Sequence, residues 1–357
     1  MVQNEEISKN SRAQKLRGFP SHIREVQKTL IGDLGVKAED FKSMAAAVKT
    51  LSDFYLKHPE KSTPWSESWT KIAYLSYYFP LNWWRASGVI GRGQQFNFFD
   101  GFEHYVDFGS GLGSVSGAFD AKGLSFKSGL CIERSNEAIA LHQKLAERSL
   151  TPLSWTTQVE PAAIRPKTLA VFSYSATELE SLPEWVEHCE GLMIIEPSTR
   201  DDSRKLQSLR AKLLSRGWHV WGPCTHSKEC PLLMSGEKDW CHDRIIWTQP
   251  DWLKSVESFL PIKNGTLPCS WLMMRKTPLA AKPDGLARIT GDLLEFKGYA
   301  KQLVCRGPAR EFLSWQKKNF KTYPEIARGE LVVLSDGIPM KGQELRVRES
   351  QDLQIMD

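Results

Sequence analysis

The chain has 357 residues, of which 41% are hydrophobic and 25% are charged, and its formal net charge at pH 7 is +5. This composition is typical of a globular protein and argues against a disordered or fibrous chain. No apolar run approaches the roughly 18 residues that a membrane helix needs, so we expect no membrane partner. The seven cysteines are an odd number and follow no export signal, which argues against a disulfide framework. We expect a bacterial cytoplasm rather than a mitochondrial matrix.

Residues 1–95 are expected to form an N-terminal helical region. Apolar residues recur at helical spacing from Ile23 to Ile31 and from Phe41 to Tyr55. Residues 66–90 are dense in aromatic side chains and are interrupted at Pro80. Such a cluster can stack on nucleic-acid bases, but packing against a neighbouring domain is far commoner, and we expect packing here.

Residues 96–277 alternate apolar runs with amphipathic segments, the pattern of a Rossmann-like, doubly wound α/β sheet. Strands are expected at 104–108, 128–133, 152–157, 168–174, 191–196 and 218–222, and helices at 114–121, 136–149, 181–189 and 203–216. A cysteine-rich insertion at 222–244 interrupts this alternation. A strand-like segment at 245–247, a helix at 251–259 and an apolar run at 270–276 then complete the sheet.

The first of these strands runs directly into three alternate glycines, and a helix is expected from residue 114. Glycine suits such a turn because it adopts positive φ and lets a ligand approach the backbone. The dinucleotide fingerprint G-x-G-x-x-G/A fails, since serine stands at its last position in either register. What remains is D-x-G-x-G-x-G, the first-loop pattern of S-adenosylmethionine (SAM) methyltransferases, with a ligand-free glycine turn as the alternative. The predicted SAM-binding residues of this loop are Asp107, Gly109, Ser110, Gly111 and Gly113.

Glu133 ends the next apolar run, twenty residues after Gly113. A carboxylate at the tip of the neighbouring parallel strand is placed to accept hydrogen bonds from both hydroxyls of a ribose, so Glu133 joins the predicted SAM site. The fourth strand, whose tip usually handles the methyl acceptor in SAM enzymes, offers Tyr174, Ser175 and Glu178. It has neither an Asn-Pro-Pro-Tyr-like clamp nor a nucleophilic cysteine, so no catalytic residue is assigned.

The insertion holds Cys224, Cys230 and Cys241 within eighteen residues. Thiolates clustered in a loop favour zinc or an iron–sulfur cluster. Zinc sites usually bring two closely spaced cysteine pairs, whereas the spacing here is wide and uneven and Cys230 precedes a proline. The pattern therefore leans toward iron–sulfur.

An iron–sulfur cluster needs a fourth thiolate, and Cys305, in a run flanked by polar residues, is the best candidate. His226 and His242 keep zinc open as the alternative metal. The other cysteines lie in apolar strand or helix contexts and are expected to be ordinary buried thiols; they are Cys131, Cys189 and Cys269.

Residues 284–345 change to short β-rich pieces separated by glycines and prolines, which is typical of a small β-barrel-like module. One acid, Glu311, stands among seven cations, and Phe312, Trp315 and Phe320 are interleaved. The cations are Lys297, Lys301, Arg306, Arg310, Lys317, Lys318 and Lys321. A basic surface with aromatic side chains is typical of RNA binding, and a solvated face with its own core aromatics is the alternative.

These segments together resemble the Rsm-type small-ribosomal-subunit methyltransferase-like proteins, whose mitochondrial members are small-subunit assembly factors. The resemblance covers roughly residues 65–330. It rests on VDFGSGLG, FSYSATELESLP, LMIIEPSTRDDSRKLQSLRAKLL and, most specifically, CTHSKECPL…DWCHDR. It implies a 4Fe–4S cluster on Cys224, Cys230, Cys241 and Cys305, SAM in the glycine-turn pocket, and the small ribosomal subunit with its rRNA as partner. No DNA partner is expected.

The leading interpretation is a SAM-dependent methyltransferase-fold protein with an iron–sulfur cluster, serving rRNA methylation, small-subunit assembly or translation. Its alternative is a non-catalytic RNA-binding assembly factor that uses the same fold as a platform. The intact glycine loop favours the enzyme, whereas the sparse tip of the fourth strand favours the assembly factor. A small-molecule methyltransferase would leave the basic C-terminal module unexplained.

Overall fold

A computed structural model describes residues 16, 18–236, 238–324 and 326–356. The helices are α1 (Ser21–Asp33), α2 (Phe41–Lys57), α3 (Ser68–Ala73), α4 (Phe79–Gln94), α5 (Ser114–Ala121), α6 (Asn136–Leu145), α7 (Arg200–Ser215), α8 (Pro231–Met234) and α9 (Asp251–Glu257). The strands up to residue 275 are β1 (His104–Phe108), β2 (Ser128–Ile132), β3 (Leu153–Thr156), β4 (Thr168–Ser173), β5 (Gly191–Glu196), β6 (His219–Gly222), β7 (Asp243–Ile245) and β8 (Leu267–Arg275). Those that follow are β9 (Leu286–Ile289), β10 (Leu294–Phe296), β11 (Tyr299–Cys305), β12 (Glu311–Gln316), β13 (Leu331–Leu334), β14 (Met340–Lys341), β15 (Glu344–Val347) and β16 (Leu353–Ile355).

The N-terminal helices pack on one face of the first sheet. The interruption expected at Pro80 takes the form of a π-helical turn, Tyr74–Tyr78, between α3 and α4 rather than a break. Pro80 lies in the first turn of α4, where its missing N–H is tolerated. Trp83 and Trp84 are buried in the core that these helices share with the sheet. The expectation that this aromatic segment is core is therefore confirmed.

The first sheet has the order β3-β2-β1-β4-β5-β8-β6, with β7 paired to β8. Strands β1 to β5 pair in parallel, and β8 runs antiparallel to β5 and β6. Along β4, Leu169 and Val171 face the core with α5, while Ala170 and Phe172 face the core with α7. Helices on both faces of a mainly parallel sheet confirm the doubly wound fold. The helix expected at 181–189 is a 3₁₀ segment, Glu184–His188.

The strand order reverses between β1 and β4, which are neighbours although β2 and β3 lie between them in the chain. In open α/β sheets ligands bind at such a switch point, beyond the carboxyl ends of the strands. The glycine turn after β1 and the residues after β4 both lie there. The fold therefore positions them at the expected ligand crevice.

Strands β9 to β16 form a second sheet with the order β14-β15-β12-β11-β9-β13-β16, in which β10 pairs with β11. It has its own core, which includes Trp315 and Phe320. Two of the three aromatics interleaved with the cations are thus core residues. Arg92 of α4 donates to Glu330 of this module, Nη1 to Oε2, at 3.2 Å.

In the described part of the chain no helix is both long and apolar enough to cross a membrane.

Candidate functional site

The three glycines after β1 each adopt the left-handed backbone region in the turn that follows the strand. Their φ angles are 69° at Gly109, 51° at Gly111 and 75° at Gly113. The amides of Gly109 and Ser110 both donate to the Ile132 carbonyl, at 2.9 and 3.1 Å, which ties the turn to the end of β2. A Cβ placed on Gly111 would meet no atom within 4 Å. The middle of the turn therefore faces open space, as close approach of a ligand requires.

Glu133 lies directly beyond the end of β2 and faces this turn. Its Oε2 accepts a hydrogen bond from the Gly111 amide at 3.0 Å. Its Oε1 accepts from the amides of Arg134 and Ser135, at 2.8 and 3.0 Å. The carboxylate thus links the first glycine turn to the turn before α6. A carboxylate has about four lone-pair positions and the three amides take three of them, which leaves one acceptor position for the predicted ribose hydroxyls.

Asp107 lies under the turn and is 1% exposed. Its Oδ1 is buried and has no hydrogen-bond partner. Burial, and to a lesser extent the negative charge of Glu133, raises the pKa of the Asp107 carboxyl to about 8. Buried polar atoms are usually hydrogen-bonded, and Asp107 Oδ1 is one of several buried side-chain atoms among the described residues that lack a partner.

His142 of α6 packs against Gly113, the last glycine of the turn. No sequence pattern had identified His142 as part of this site. A Cβ on Gly113 would lie 1.9 Å from His142 Nε2. Trp155 Nε1 donates to His142 Nδ1 at 3.1 Å, so the proton of the neutral imidazole is on Nε2. Nε2 donates to Ser116 Oγ at 3.1 Å, and Ser116 donates to the Gly113 carbonyl at 2.9 Å. Burial lowers the pKa of His142 to about 3, which keeps the ring neutral.

The residues after β4 are held by hydrogen bonds to β1 and β5. Tyr174 has a φ of 61°, a backbone conformation that non-glycine residues seldom adopt. Ser175 Oγ donates to the Phe108 carbonyl at 2.8 Å, which joins this tip to β1. Glu196 accepts from the amides of Ala176 and Thr177, at 2.7 and 3.2 Å. Ser175 and Glu196 therefore support the loop, while Glu178 is exposed.

The four predicted cluster ligands line one cavity between the two sheets. Cys224, Cys230 and Cys241 come from the insertion, and Cys305 ends β11. The volume of this cavity is about 20 Å³. Burial, and to a lesser extent the nearby thiols of Cys224 and Cys241, raises the pKa of Cys230 to about 11. Among the described residues, no group of three or more Cys, His, Asp or Glu side chains is arranged to hold a metal ion. The iron–sulfur and zinc assignments stay predictions.

The two histidines of the zinc alternative occupy different places. His226 lines the cavity, and its Nε2 is 3.4 Å from Cys305 Sγ. His242 does not line it and stacks on Trp240, with ring centroids 5.7 Å apart. Cys131, Cys189 and Cys269 are fully buried, as expected.

Arginines that the sequence analysis missed surround this cavity. Arg210 of α7 is 2% exposed and donates to the carbonyls of His226 and Lys228, at 2.5 and 3.1 Å. Arg288 of β9 is also 2% exposed and donates to Cys241 Sγ. Helix α7 thus anchors the insertion, and two buried guanidinium groups flank the thiols. Buried arginines carry no local sequence pattern that would have revealed them.

The basic segment of the C-terminal module is only partly available for binding. Arg306 pairs with Glu311 and Arg310 with Asp239, each at N–O distances of 3.1 Å or less. The remaining cations are exposed or half-buried lysines: Lys297, Lys301, Lys317, Lys318 and Lys321.

The exposed hairpin of β10 and β11 adds two aromatics that the sequence analysis did not single out. Phe296 is 44% exposed and stacks on Tyr299, with centroids 4.8 Å apart and ring planes at 11°. Lys301 Nζ lies 5.3 Å from the Phe296 ring centroid and 4.8 Å from that of Phe312. We call Phe296, Tyr299, Lys301 and Phe312 the hairpin surface.

Residues 95–249, less than half of the chain, match the family model described as mitochondrial small ribosomal subunit Rsm22. This match confirms the family resemblance over these residues. A comparison with curated protein sequences finds no significant match.

Three similar solved structures are distant from this chain in sequence. TrmK of M. capricolum, in complex with S-adenosyl-homocysteine, is 10% identical with a TM-score of 0.34, over 54% of this chain and 71% of that one. Magnesium protoporphyrin IX methyltransferase of Synechocystis, with bound SAM, is 10% identical with a TM-score of 0.33, over 65% and 97%. Precorrin-6y C5,15-methyltransferase of Geobacter metallireducens is 12% identical with a TM-score of 0.33, over 52% and 87%. Identities and scores this low transfer neither activity nor ligand to this chain.

Proposed function

We propose that this chain is a SAM-dependent methyltransferase-fold protein that carries an iron–sulfur cluster and acts with the small ribosomal subunit. The observation that carries the SAM assignment is the glycine turn at the switch point of the sheet. All three of its glycines have positive φ, Gly111 faces open space, and Glu133 stands opposite. This combination suits a ligand that lies against backbone and presents hydroxyl groups.

Asp107 supports a ligand that is a cation. The buried Oδ1 has no partner, and a positively charged donor near it would favour the ionised carboxylate that burial disfavours. SAM carries both a sulfonium and an ammonium group, whereas a nucleoside phosphate would bring negative charge toward Asp107 and Glu133. SAM supplies an activated methyl group when bound, so the residues of this site have only to hold and orient it.

The four thiol groups that line the cavity suit an iron–sulfur cluster. Cys224, Cys230, Cys241 and Cys305 are soft sulfur ligands, which favour iron–sulfur or zinc over hard cations. A 4Fe–4S cluster held by four thiolates has a net negative charge, and Arg210 and Arg288 would offset it. A cluster here would also join the insertion to the C-terminal sheet and so stabilise that junction.

The hairpin surface supports RNA as the partner. The exposed ring of Phe296, stacked on the half-buried Tyr299, offers bases a stacking platform, and the lysines of this segment suit phosphates. The matched family is described as a small ribosomal subunit component, so the RNA that we propose is small-subunit rRNA.

A specific observation favours a second candidate, a non-catalytic assembly factor. Ser175 and Glu196, two of the groups nearest the tip of β4, are engaged in holding the loop. Few side chains there are free to handle a methyl acceptor. Under this alternative the SAM pocket stabilises a fold that binds rRNA without methylating it.

The test uses anaerobically purified protein, methyl-labelled SAM and immature small ribosomal subunits. Gly111→Val should abolish SAM binding because its side chain would fill the space above the turn. Gly101→Val is the matched control, since Gly101 also has positive φ, at 82°, and open space but lies before β1. Equal SAM affinity in the two variants would show that the pocket is misplaced.

The readout on subunits separates the two candidates. Label transferred to rRNA by the wild type, and not by Gly111→Val, is the result expected for the enzyme. Subunit binding without transfer supports the assembly factor. A protein that binds neither SAM nor subunits contradicts both.

A further inference from the structure

Arg288 is a buried arginine that lines the same cavity as the four predicted cluster ligands. It lies on β9 with Cys305 of β11 directly opposite in the antiparallel register. Paired residues on neighbouring strands project from the same face of a sheet, so the two side chains share the cavity. An arginine that is 2% exposed is rare unless it is paired.

The guanidinium group of Arg288 connects the two sheets through specific atoms. Nη2 forms an ion pair with Asp243 of β7, a residue that is itself 1% exposed. The other carboxylate oxygen, Asp243 Oδ2, accepts from Trp271 Nε1 at 2.9 Å. Nη1 remains free of the carboxylate and donates to Cys241 Sγ. Asp243 thus aims the planar fork so that one N–H points at sulfur.

Hydrogen bonds to ligand sulfur and nearby charge are the means by which proteins set the reduction potential of an iron–sulfur cluster. A donor on a thiolate withdraws charge from it and stabilises the reduced, more negative state. Arg288 is permanently charged and lies in the cavity with all four thiols, whereas Arg210 directs its hydrogen bonds to backbone carbonyls.

We propose that Arg288 is a positioning residue for the cluster: it fixes Cys241 through the N–H···S hydrogen bond and raises the cluster's reduction potential. This inference rests on the proposed function, because it assumes a cluster on the four cysteines. It assigns a role to a residue of the C-terminal sheet whose pairing with a thiol only the three-dimensional structure reveals.

The experiment removes the guanidinium without leaving a buried charge alone. Arg288→Met is made together with Asp243→Asn, so that both charges of the buried ion pair are removed, and the reference is the wild type. Asparagine still offers Trp271 an oxygen acceptor. Arg244→Met is the exposed control, since Arg244 is in the same strand as Asp243 but pairs at the surface with Asp292 at 3.0 Å.

Two quantities are measured on anaerobically reconstituted full-length protein. One is iron bound per chain, and the other is the midpoint potential for one-electron reduction by dithionite, followed by electron paramagnetic resonance. The double variant Arg288→Met, Asp243→Asn should lower the midpoint potential and the iron retained, relative to the wild type. Arg244→Met should leave both unchanged.

The outcomes distinguish a wrong cluster assignment from a wrong role for Arg288. A wild type that binds zinc or no metal overturns the cluster itself, and the role of Arg288 with it. A wild type with iron whose potential is the same with and without Arg288 overturns only this inference. If the double variant does not fold, Arg288→Lys replaces it. One ammonium group cannot serve Asp243 and Cys241 with the geometry of the fork, so this variant should also lower the potential; an unchanged potential would refute the assignment.

Discussion

Gly113→Ala tests whether His142 packs directly against the last glycine of the turn. Two costs are expected. Alanine at a φ of 75° adds about 1–2 kcal/mol of left-handed backbone strain. Its Cβ would also lie 1.9 Å from His142 Nε2, and such overpacking in a close-packed core costs about 1–3 kcal/mol. We therefore expect a loss of about 2–5 kcal/mol in the free energy of unfolding.

Gly111→Ala separates these two costs. Its φ of 51° brings the same kind of strain, but its Cβ meets nothing within 4 Å. The difference between the variants in urea unfolding, monitored by tryptophan fluorescence, should therefore report the contact with His142 alone. Gly113→Ala should cost less stability in a His142→Ala background than in the wild type, because the contact is then absent. Equal stability of the two glycine variants would refute the packing of His142 under the turn.

The remaining predictions concern titration and RNA. The pKa of Asp107 is about 8 in the folded protein and 3.8 ordinarily, so from pH 4 to pH 8 the folded state holds a proton that the unfolded chain has lost. Stability of the ligand-free wild type should therefore fall relative to Asp107→Asn as pH rises across that range, and a pH-independent difference would contradict the shift. For His142 the sign is opposite: with a pKa of about 3 against an ordinary 6.5, stability should fall as pH falls between them, and His142→Gln should lessen that fall in pH-dependent unfolding. Phe296→Ala should weaken binding of single-stranded rRNA fragments by about 1–3 kcal/mol in a filter-binding assay, whereas Lys254→Ala, in an exposed helical ion pair, should not; equal losses would show that the hairpin surface is not the RNA site.

Local pattern was sufficient to predict the elements that build the SAM site. Alternation of apolar runs and the position of the glycines predicted β1 and α5 with the bounds that the structure has. These features depend on residues that are close in sequence, such as a turn that requires positive φ at Gly109, Gly111 and Gly113. The prediction was wrong where the local hydrophobic pattern was weak: the helix expected at 181–189 is the 3₁₀ segment Glu184–His188.

The sequence by itself therefore determined the doubly wound sheet, the turn after β1 and which cysteines were candidates for a shared site. Only the tertiary structure decided what meets these groups. His142 reaches Gly113 from the next helix, and Arg288 reaches Cys241 because β9 pairs with β11 while Asp243 holds its guanidinium. Such contacts join residues that are far apart in the chain. They arise from sheet register and from packing free energies summed over many residues, which no short stretch of sequence encodes.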